Sequence, residues 1–407
     1  MTARDGFASL AMTPGLEAVI ARAPSVRPVI ARAPSARRDL LLAAACLLAG
    51  CGGPPAPPAE EALALPSDTL VAPWANLPVA SWVGDGRWAL VAGDWDAAAI
   101  ADFGRKTLEP LGGPKHPAYL HPVAVFSFGD TVYLSDWGRR RTTVWTAGGK
   151  LLDSIPSPDA LRGAYPRGRD AAGQLYFEVP PLGGRDGSGN RDSVAIVRAP
   201  RSLARFDTVA RLAPIEVAEM NRENSRRYEK RALSGSDLWG VWPDGTVWIA
   251  RVDRNQIVSV DPGGARTEGP RLPDPVFEVT QADRDRYLEG FPADVRPNET
   301  EIPFALVHPP FVGAFAVPAG GGGSGAGGAA AGGGASIWLE KSKPVLDSVR
   351  RIHVLDRGGN LRRVLRLHGE ARVLGVGDQS ILVAEQFEKG VRLMQVRIPA
   401  AQGKLPG

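Results

Sequence analysis

Apolar residues in this chain recur in short runs that directly follow a turn, a pattern typical of half-buried β-strands. The same phrase occurs six times: one or two turn residues, a polar residue, then an apolar and aromatic run. The first apolar position of the run falls at Trp88, Val132, Leu175, Val247, Ile337 and Ile381. In several units a second β-rich run and a tight turn come next, as in residues 142–152. Each unit is therefore predicted to be an antiparallel meander.

The spacing of these units predicts the architecture. Uninterrupted neighbours lie 43 or 44 positions apart, whereas the intervals on either side of Val247 are 72 and 90 positions long. A period of roughly 40–45 residues with several strands is typical of a propeller blade. One meander cannot bury both of its faces, but six arranged in a ring can. We predict an all-β fold, a six-bladed β-propeller of four-stranded antiparallel blades, over residues 68–399, followed by a C-terminal tail at 400–407.

The two ends of the predicted ring are expected to meet. Residues 68–74 form an apolar stretch before the first unit, and the last unit, ending near residues 396–398, is one strand short. We predict that the N-terminal stretch completes the C-terminal blade and closes the ring. The alternative is that this stretch is only a tether.

Two charge-rich inserts and one glycine-rich tract interrupt the repeats. Residues 215–232 and 280–290 are predicted to form short surface helices. In the second insert, Thr280 is a plausible N-cap with Asp283 three positions later. The tract within 319–335 is almost entirely Gly and Ala, so it cannot offset its ordering entropy and is predicted to be a disordered loop.

The N-terminal region has the anatomy of an export signal. Arg37 and Arg38 precede an apolar run at 40–48, which leads into Leu-Ala-Gly-Cys ending at Cys51. This segment resembles a bacterial lipoprotein signal, and the resemblance implies cleavage before Cys51 and lipid attachment to its sulfur. Residues 37–50 are then the signal peptide and residues 51–67 a flexible Pro/Gly/Ala-rich tether. The alternative is an ordinary signal peptide with an incidental cysteine.

The predicted location of the protein follows from the same segment. Residues 1–36 are interpreted as a disordered leader or as the product of a start codon assigned too far upstream. We expect a membrane-anchored protein of the bacterial cell envelope. In a cell with two membranes, Gly52 after the lipidated cysteine resembles an outer-membrane sorting signal, which implies the periplasmic side of the outer membrane.

Charge and cysteine content exclude several functions. The chain has 48 Lys and Arg against 44 Asp and Glu, but residues 1–50 hold six and three of these, which leaves a net charge of +1 for the remainder. The sequence therefore does not favour nucleic-acid binding. Cys46 lies in the signal and Cys51 would be lipidated, so the mature domain has no thiol for a disulfide, a metal or catalysis.

Candidate functional residues follow the repeated phrase. The five histidines show no metal-site spacing and no Gly-x-Ser-x-Gly motif occurs, so we expect no catalytic residue, cofactor or metal. Just after each phrase, however, the residue type varies while the scaffold stays uniform, as in propeller binding faces. The alternative is that these are solvated loop charges. The candidate binding face comprises Asp94, Trp95, Asp136, Trp137, Glu178, Arg251, Glu340, Lys341 and Glu385.

Two of the repeated segments carry a family resemblance. Residues 242–249 (Trp-Pro-Asp-Gly-Thr-Val-Trp-Ile) and 260–264 (Val-Asp-Pro-Gly-Gly) resemble repeats of NHL-type and TolB-like six-bladed propellers. The order of repeats and inserts is similar to that of a group of bacterial propeller lipoproteins. This resemblance implies the propeller architecture and not a function, because the shared motifs are turn and packing residues. From the absence of a catalytic constellation we expect a lipid-anchored monomer that binds or scaffolds a protein, peptide or glycan and is not an enzyme.

A second reading of the same fold is a metal-assisted hydrolase or lyase. Asp94, Asp136 and Glu385 would then bind Ca²⁺ at the channel mouth, resembling sugar-lactone hydrolases of this fold. Arg251 and Lys341, in contrast, place cations where such a site needs oxygen ligands.

Overall fold

A computed structural model describes residues 58–64, 66, 68–92, 97–112, 118–180, 193–222, 225–318 and 334–399. Of these, residues 221, 222 and 225–227 are described by their backbone only. The leader, the signal with Cys51, residues 319–333 of the glycine-rich loop and the C-terminal tail lie outside these ranges. Within the described ranges, no helix has both the length and the apolar character needed to cross a membrane.

The described residues form a six-bladed β-propeller of four-stranded antiparallel sheets, as predicted. Blades 1 to 3 follow one another along the chain, and in each the strands lie side by side in chain order. Their strands are β3 (Val79–Gly84), β4 (Arg87–Val91), β5 (Ala98–Asp102) and β6 (Thr107–Pro110); β7 (Pro122–Phe128), β8 (Thr131–Asp136), β9 (Arg141–Thr146) and β10 (Leu151–Pro156); and β11 (Pro166–Arg169), β12 (Leu175–Val179), β13 (Ala195–Ala199) and β14 (Asp207–Arg211).

Blades 4 and 5 repeat the meander, and blade 6 combines the two ends of the ring. Blade 4 consists of β17 (Leu238–Val241), β18 (Val247–Arg251), β19 (Gln256–Val260) and β20 (Arg266–Glu268); blade 5 of β21 (Phe311–Val317), β22 (Ser336–Lys341), β23 (Val349–Asp356) and β24 (Leu361–His368); and blade 6 of β25 (Arg372–Val376), β26 (Ser380–Phe387), β27 (Gly390–Arg397) and β2 (Asp68–Ala72).

The predicted closure of the ring by the N-terminal stretch is confirmed. Strand β2 pairs antiparallel with β27 as the outer strand of blade 6, from Asp68 opposite Gln395 to Ala72 opposite Val391. The first strands of neighbouring blades also contact one another all the way around, from β3 through β25 and back to β3. These first strands therefore line the central axis, and both ends of the chain's repeat region are held in one sheet.

The core lies between the blades. Buried apolar side chains form six clusters among the described residues, and each cluster joins two neighbouring blades. Trp88, for example, is completely buried between blades 1 and 6, together with Leu382. Because each sheet covers the face of the next, the strands are apolar on both faces, as the continuous runs in the sequence require.

One close contact in this core yields a prediction. Gly240 in β17 lies under the Trp248 ring, and a Cβ at that position would be 2.6 Å from Trp248 Cζ2. Gly240→Ala is therefore expected to lower the free energy of unfolding by about 1–3 kcal/mol, because the buried ring has to move. Gly148→Ala is the matched control, since its Cβ would meet no atom closer than 3.7 Å. Urea denaturation of both variants tests this, and equal stabilities would contradict it.

The first insert is a β-hairpin, so the prediction of a helix at 215–232 is wrong. Strands β15 (Val217–Arg222) and β16 (Ser225–Lys230) pair antiparallel and are separated by only two residues, the length of a tight hairpin connection. Its few apolar residues form no helical stripe. Across the pair Glu219 stands opposite Tyr228, whose hydroxyl donates to its carboxylate at 3.0 Å. Such cross-strand pairs stabilise the hairpin, whereas a helix would place these two side chains far apart.

The second insert contains the predicted helix, α1 (Gln281–Glu289). Thr280 caps it: its hydroxyl accepts from the Asp283 amide, and the Asp283 carboxylate accepts from the Thr280 amide. The Tyr287 ring then packs edge-on against Phe291 and Phe304. The helix is thus held by a capping box at its start and by aromatic contacts near its end.

A further strand lies within the segment predicted to be a flexible tether. Strand β1 (Glu60–Ala62) pairs in parallel with β24 on the outer edge of blade 5, with Glu60 opposite Val364. Blade 5 is therefore a five-stranded sheet. Strand β1 thus begins eight residues before Asp68, the first residue of β2.

Candidate functional site

The topology defines two faces of the ring. The second strand of every blade ends where the first strand begins, and both inserts leave the ring at this same end, between β14 and β17 and between β20 and β21. We call this the insert face. The opposite hairpin face carries the turns between first and second strands, such as residues 85–86 and 129–130.

The candidate residues that the structure describes lie towards the insert face. Asp136, Arg251 and Lys341 are the last residues of their strands, and Trp137 follows β8 directly. Glu178, Glu340 and Glu385 lie near the ends of β12, β22 and β26. Asp94 and Trp95 lie outside the described residues. That these residues bind a ligand stays a prediction. Several of them also form hydrogen bonds or ion pairs within the ring.

Asp136 holds the start of the neighbouring inner strand. Its buried carboxylate accepts backbone N–H bonds from Leu120 and His121, both at 2.9 Å, and from Arg139 at 3.3 Å. A carboxylate satisfied by three amides in this way fixes the chain that leads into β7. Its contribution is therefore to position the exposed residues on either side of it.

Arg251 joins blade 3 to blade 4. Its guanidinium donates to Asp237 at 2.5 Å and to the Arg211 carbonyl at 2.8 Å. The Asp237 side chain is fully buried and also accepts from the Ala213 and Val252 amides. Arg251 is thus neutralised between two blades.

Glu340 joins blade 5 to blade 6 in a comparable way. The carboxylate is 1 % exposed and accepts from Arg350 at 2.5 Å and Arg372 at 3.3 Å. Arg350, itself buried, also donates to the Ala371 carbonyl at 3.0 Å. Removing either partner would leave a charge buried at a blade boundary.

Lys341 belongs to a buried polar cluster that sequence reasoning missed. Its ammonium lies 2.6 Å from an Asp274 oxygen and donates to the Asn255 amide oxygen at 3.1 Å. The other Asp274 oxygen lies 3.5 Å from His353 Nε2. Burial lowers the pKa of Lys341, although Asp274 opposes this. Burial likewise lowers the pKa of His353 to about 4, so this imidazole is neutral at pH 7.

A different set of groups remains open to solvent near the axis. Glu178 accepts from Trp239 Nε1 at 2.8 Å and from Arg167 at 2.5 Å, so it links the inner strands of blades 3 and 4. Arg167 is the extra residue of a bulge in β11, and its side chain is 55 % exposed. Bulges of this kind redirect a side chain out of the sheet. Glu385 is paired with Arg392 at 3.3 Å on the neighbouring strand.

Exposed apolar side chains are concentrated on the insert face. Of the twelve large apolar residues that are clearly exposed in the described part of the chain, only Leu151 and Leu152 lie elsewhere. Trp137 is 59 % exposed, Leu306 78 % and Leu346 87 %. The ten residues of the insert face are Val71, Val79, Leu120, Trp137, Val276, Val295, Leu306, Val307, Val312 and Leu346.

Three segments of the insert face are tied together into what we call the cap: the β15–β16 hairpin, residues 269–310 and residues 342–348. Ala232, at the base of the hairpin, exchanges backbone hydrogen bonds with Pro303 and Ala305 at 2.7 and 2.9 Å. Asp283 of α1 accepts from the Val345 amide at 2.8 Å and lies 3.2 Å from His308. The cap therefore stands over blades 4 and 5 as one connected surface.

Asp283 is the electrostatic centre of the cap. Burial would raise the pKa of this carboxyl, but hydrogen bonds from Thr280, from the Val345 amide and from His308 outweigh it and lower the pKa to about 2. The group is therefore ionised at any physiological pH. Asp283 thus joins three segments of the cap: α1, residues 342–348, and the loop with His308 that leads into β21.

A groove of about 460 Å³ runs between the outer strands of blades 3 and 4. Its apolar floor includes Val209 and Val258, and four arginines line it. Three of the four are paired with acids: Arg251 with Asp237, and Arg254 and Arg266 with Glu268. Among the described residues, no group of three or more His, Cys, Asp or Glu side chains is placed to hold a metal ion.

Comparison with known proteins gives similarity in overall structure only. No family model matches the chain, and no curated protein matches it. Solved structures similar to it include virginiamycin B lyase from Staphylococcus aureus (11 % identity, 81 % of this chain and 99 % of that one, TM-score 0.39). Others are a DUF4221 family member from Bacteroides vulgatus (8 %, 83 % and 98 %, 0.42) and a gluconolactonase from Xanthomonas campestris (12 %, 84 % and 99 %, 0.37). Similarities at this level carry no information about what this chain binds or catalyses.

Proposed function

We propose that this protein is a lipid-anchored propeller of the bacterial cell envelope that binds a polypeptide through its insert face. The observation that carries the proposal is the concentration there of ten of the twelve exposed large apolar side chains of the described residues. Exposed apolar surface rimmed by polar groups marks sites of protein interaction. Trp137 and the Arg167–Glu178–Trp239 group supply the aromatic and arginine contacts that dominate such interfaces.

The rigidity of the face supports this role. Asp136, Arg251, Glu340 and Lys341 are engaged in buried bonds beneath the surface. They therefore serve as supports that fix the loops carrying the exposed residues. A preformed face of this kind loses little conformational entropy on binding, which favours affinity for an extended partner.

The anchor is the second part of the proposal. The Leu-Ala-Gly-Cys segment ending at Cys51 resembles a lipoprotein signal, and Gly52 favours the outer membrane in a cell with two membranes. We expect wild-type protein to fractionate with membranes and to carry acyl chains on Cys51 by mass spectrometry. Cys51→Ser is expected to abolish both. A membrane-bound, unacylated wild-type protein would contradict the anchor.

A triple substitution tests the binding face. Trp137→Ser, Leu306→Ser and Leu346→Ser together remove three of its exposed large apolar groups. In-cell cross-linking followed by affinity isolation is expected to recover at least about tenfold less of the partner that co-isolates with wild type, since each 1.4 kcal/mol of lost contact is tenfold.

The matched control is Leu151→Ser with Leu152→Ser, which removes the two exposed apolar groups that lie elsewhere. The control is expected to retain the partner. Equal loss in both variants, or retention in both, would contradict the assignment to the insert face. A captured glycan would replace the polypeptide as ligand, and a melting temperature that rises on adding Ca²⁺ would favour a metal-assisted enzyme instead.

A further inference from the structure

Strand β1 attaches the chain that precedes the ring to the outer edge of blade 5. Glu60 accepts from Arg351 at 2.9 Å, and Glu61 accepts from Arg363 through two bonds of 3.0 and 2.7 Å. The Leu63 amide continues the pairing by donating to the Arg366 carbonyl at 2.9 Å. Strand β1 is therefore fixed to blade 5 by its backbone pairing and by a carboxylate–guanidinium pair with two hydrogen bonds.

The direction of β1 determines where the chain leaves the ring. Strand β24 is the fourth strand of its blade, so it runs from the hairpin face towards the insert face. Because β1 is parallel to β24, its first residue, Glu60, is its end nearer the hairpin face. The chain towards Cys51 therefore departs at the hairpin-face end of blade 5.

The remaining length is short compared with the ring. Nine residue steps separate Cys51 from Glu60, and an extended chain covers at most about 3.6 Å per step, or about 32 Å in total. A compact domain of the ring's size has a radius of gyration of about 20 Å, which corresponds to a sphere about 50 Å across. Because this reach is shorter than the width of the ring, a lipid on Cys51 keeps the edge of blade 5 nearest to the membrane.

We propose that β1 seats the ring on the lipid surface by the hairpin-face end of blade 5, so that the insert face points away from the bilayer. The proposal rests on the lipidation of Cys51 proposed above. Arg357 and Arg362, at the hairpin end of blade 5, are paired with Asp244 and Asp356, so the placement rests on the direction of β1 and the length of the tether and not on charge. The polypeptide-binding face is then directed towards soluble or opposing partners.

Single-cysteine labelling tests the orientation, because the mature chain has no cysteine besides Cys51. A donor dye is placed by Arg362→Cys, Leu346→Cys or Leu152→Cys in lipidated protein on vesicles that carry an acceptor dye on their headgroups. These sites mark the outer strand of blade 5, the insert face of blade 5 and the outer strand of blade 2. Energy transfer is expected to be greatest at position 362, lower at 346 and lowest at 152. Equal transfer at the three sites, or the reverse order, would overturn the proposal.

A variant that releases β1 provides the matched control. Glu60→Lys with Glu61→Lys places like charges against Arg351 and Arg363 and lengthens the tether from nine to seventeen steps, up to Asp68. The variant is expected to float with vesicles as wild type does but to lose most of the difference between positions 362 and 152. An undiminished difference would overturn the role of β1. Failure of wild type to float would overturn the lipid anchor itself, a result distinct from equal transfer by a floating protein.

Discussion

Replacing Gly390 with alanine is expected to lower the free energy of unfolding by about 2–5 kcal/mol, the sum of positive-φ strain and backbone overlap. Gly390 begins β27 with φ 138°, and a Cβ there would lie 2.2 Å from the Ala72 carbonyl oxygen of the closing strand β2. The overlap involves backbone on both sides, so no side chain can move to relieve it. The variant should therefore displace β2 and open the ring at blade 6.

Gly149→Ala is the control for this experiment. Gly149 also has a positive φ, 81°, but a Cβ there would meet no atom within 4 Å. Its substitution is expected to cost only the backbone strain, about 1–2 kcal/mol. Guanidinium denaturation measures both, and hydrogen exchange of the β27 amides reports the closure. A Gly390→Ala protein as stable as Gly149→Ala, with protected β27 amides, would contradict the assigned role of β2.

Replacing Lys341 with methionine is expected to lower the free energy of unfolding at pH 8 by about 3–5 kcal/mol, the cost of leaving a buried carboxylate without its cation. That carboxylate is Asp274, and the neighbouring His353 is neutral at this pH. Burial is the main cause of the low pKa of His353, and Asp274 opposes it while Lys341 adds to it. Without the Lys341 charge, the pKa of His353 is therefore expected to rise above its wild-type value, because Asp274 then acts on the imidazole without an opposing ammonium.

The pH dependence provides the sign test. In wild type the pKa of His353 is depressed to about 4 by burial, so stability is complete above about 6.5 and falls as the pH drops towards 4. In Lys341→Met the folded pKa lies closer to 6.5 than in wild type, so the variant loses less stability than wild type as the pH drops below 6.5. The penalty should therefore be smaller at pH 5.5 than at pH 8.

Denaturation at the two pH values and an NMR titration of His353 measure this effect. Arg266→Met is the control, because its pair with Glu268 is exposed and should contribute less than about 1 kcal/mol. An equal penalty at both pH values, with His353 still titrating near 4, would show that the cluster is not electrostatically coupled as its distances indicate.

The repeated phrase was sufficient to predict the ring because blade formation is a local property. Each unit carries its own turn residues and apolar runs, and the 43–44-residue period repeats them. The closing strand was predictable for a related reason: residues 68–72 are apolar where the last unit lacks a strand. Helix α1 was predictable from Thr280 and Asp283, since a capping box is a signal within four residues.

What could not be predicted depends on partners far away in the chain. Strand β1 is Glu-Glu-Ala, which has no β-forming pattern, and it is held by arginines about 290 residues later. The hairpin at 217–230 has the composition of a surface helix, and only the pairing of its two halves identifies it. In the buried cluster, Asp274 lies in a loop 67 residues before Lys341, so no spacing rule could bring them together. Sequence reasoning placed the described candidate residues together at one end of the ring, but it could not distinguish the supports from the exposed groups.

Site-specific photo-crosslinking in living cells tests the central claim, that the insert face is the polypeptide-binding surface. A photoreactive amino acid is introduced singly at Trp137, Leu306 or Leu346 on that face, and at Leu151, Leu152 or Arg362 elsewhere, all of which are exposed. We predict that irradiation joins one and the same protein to the first three positions and leaves the second three without it. Cross-linking of that protein from the second set, or equally from both sets, would contradict the assignment.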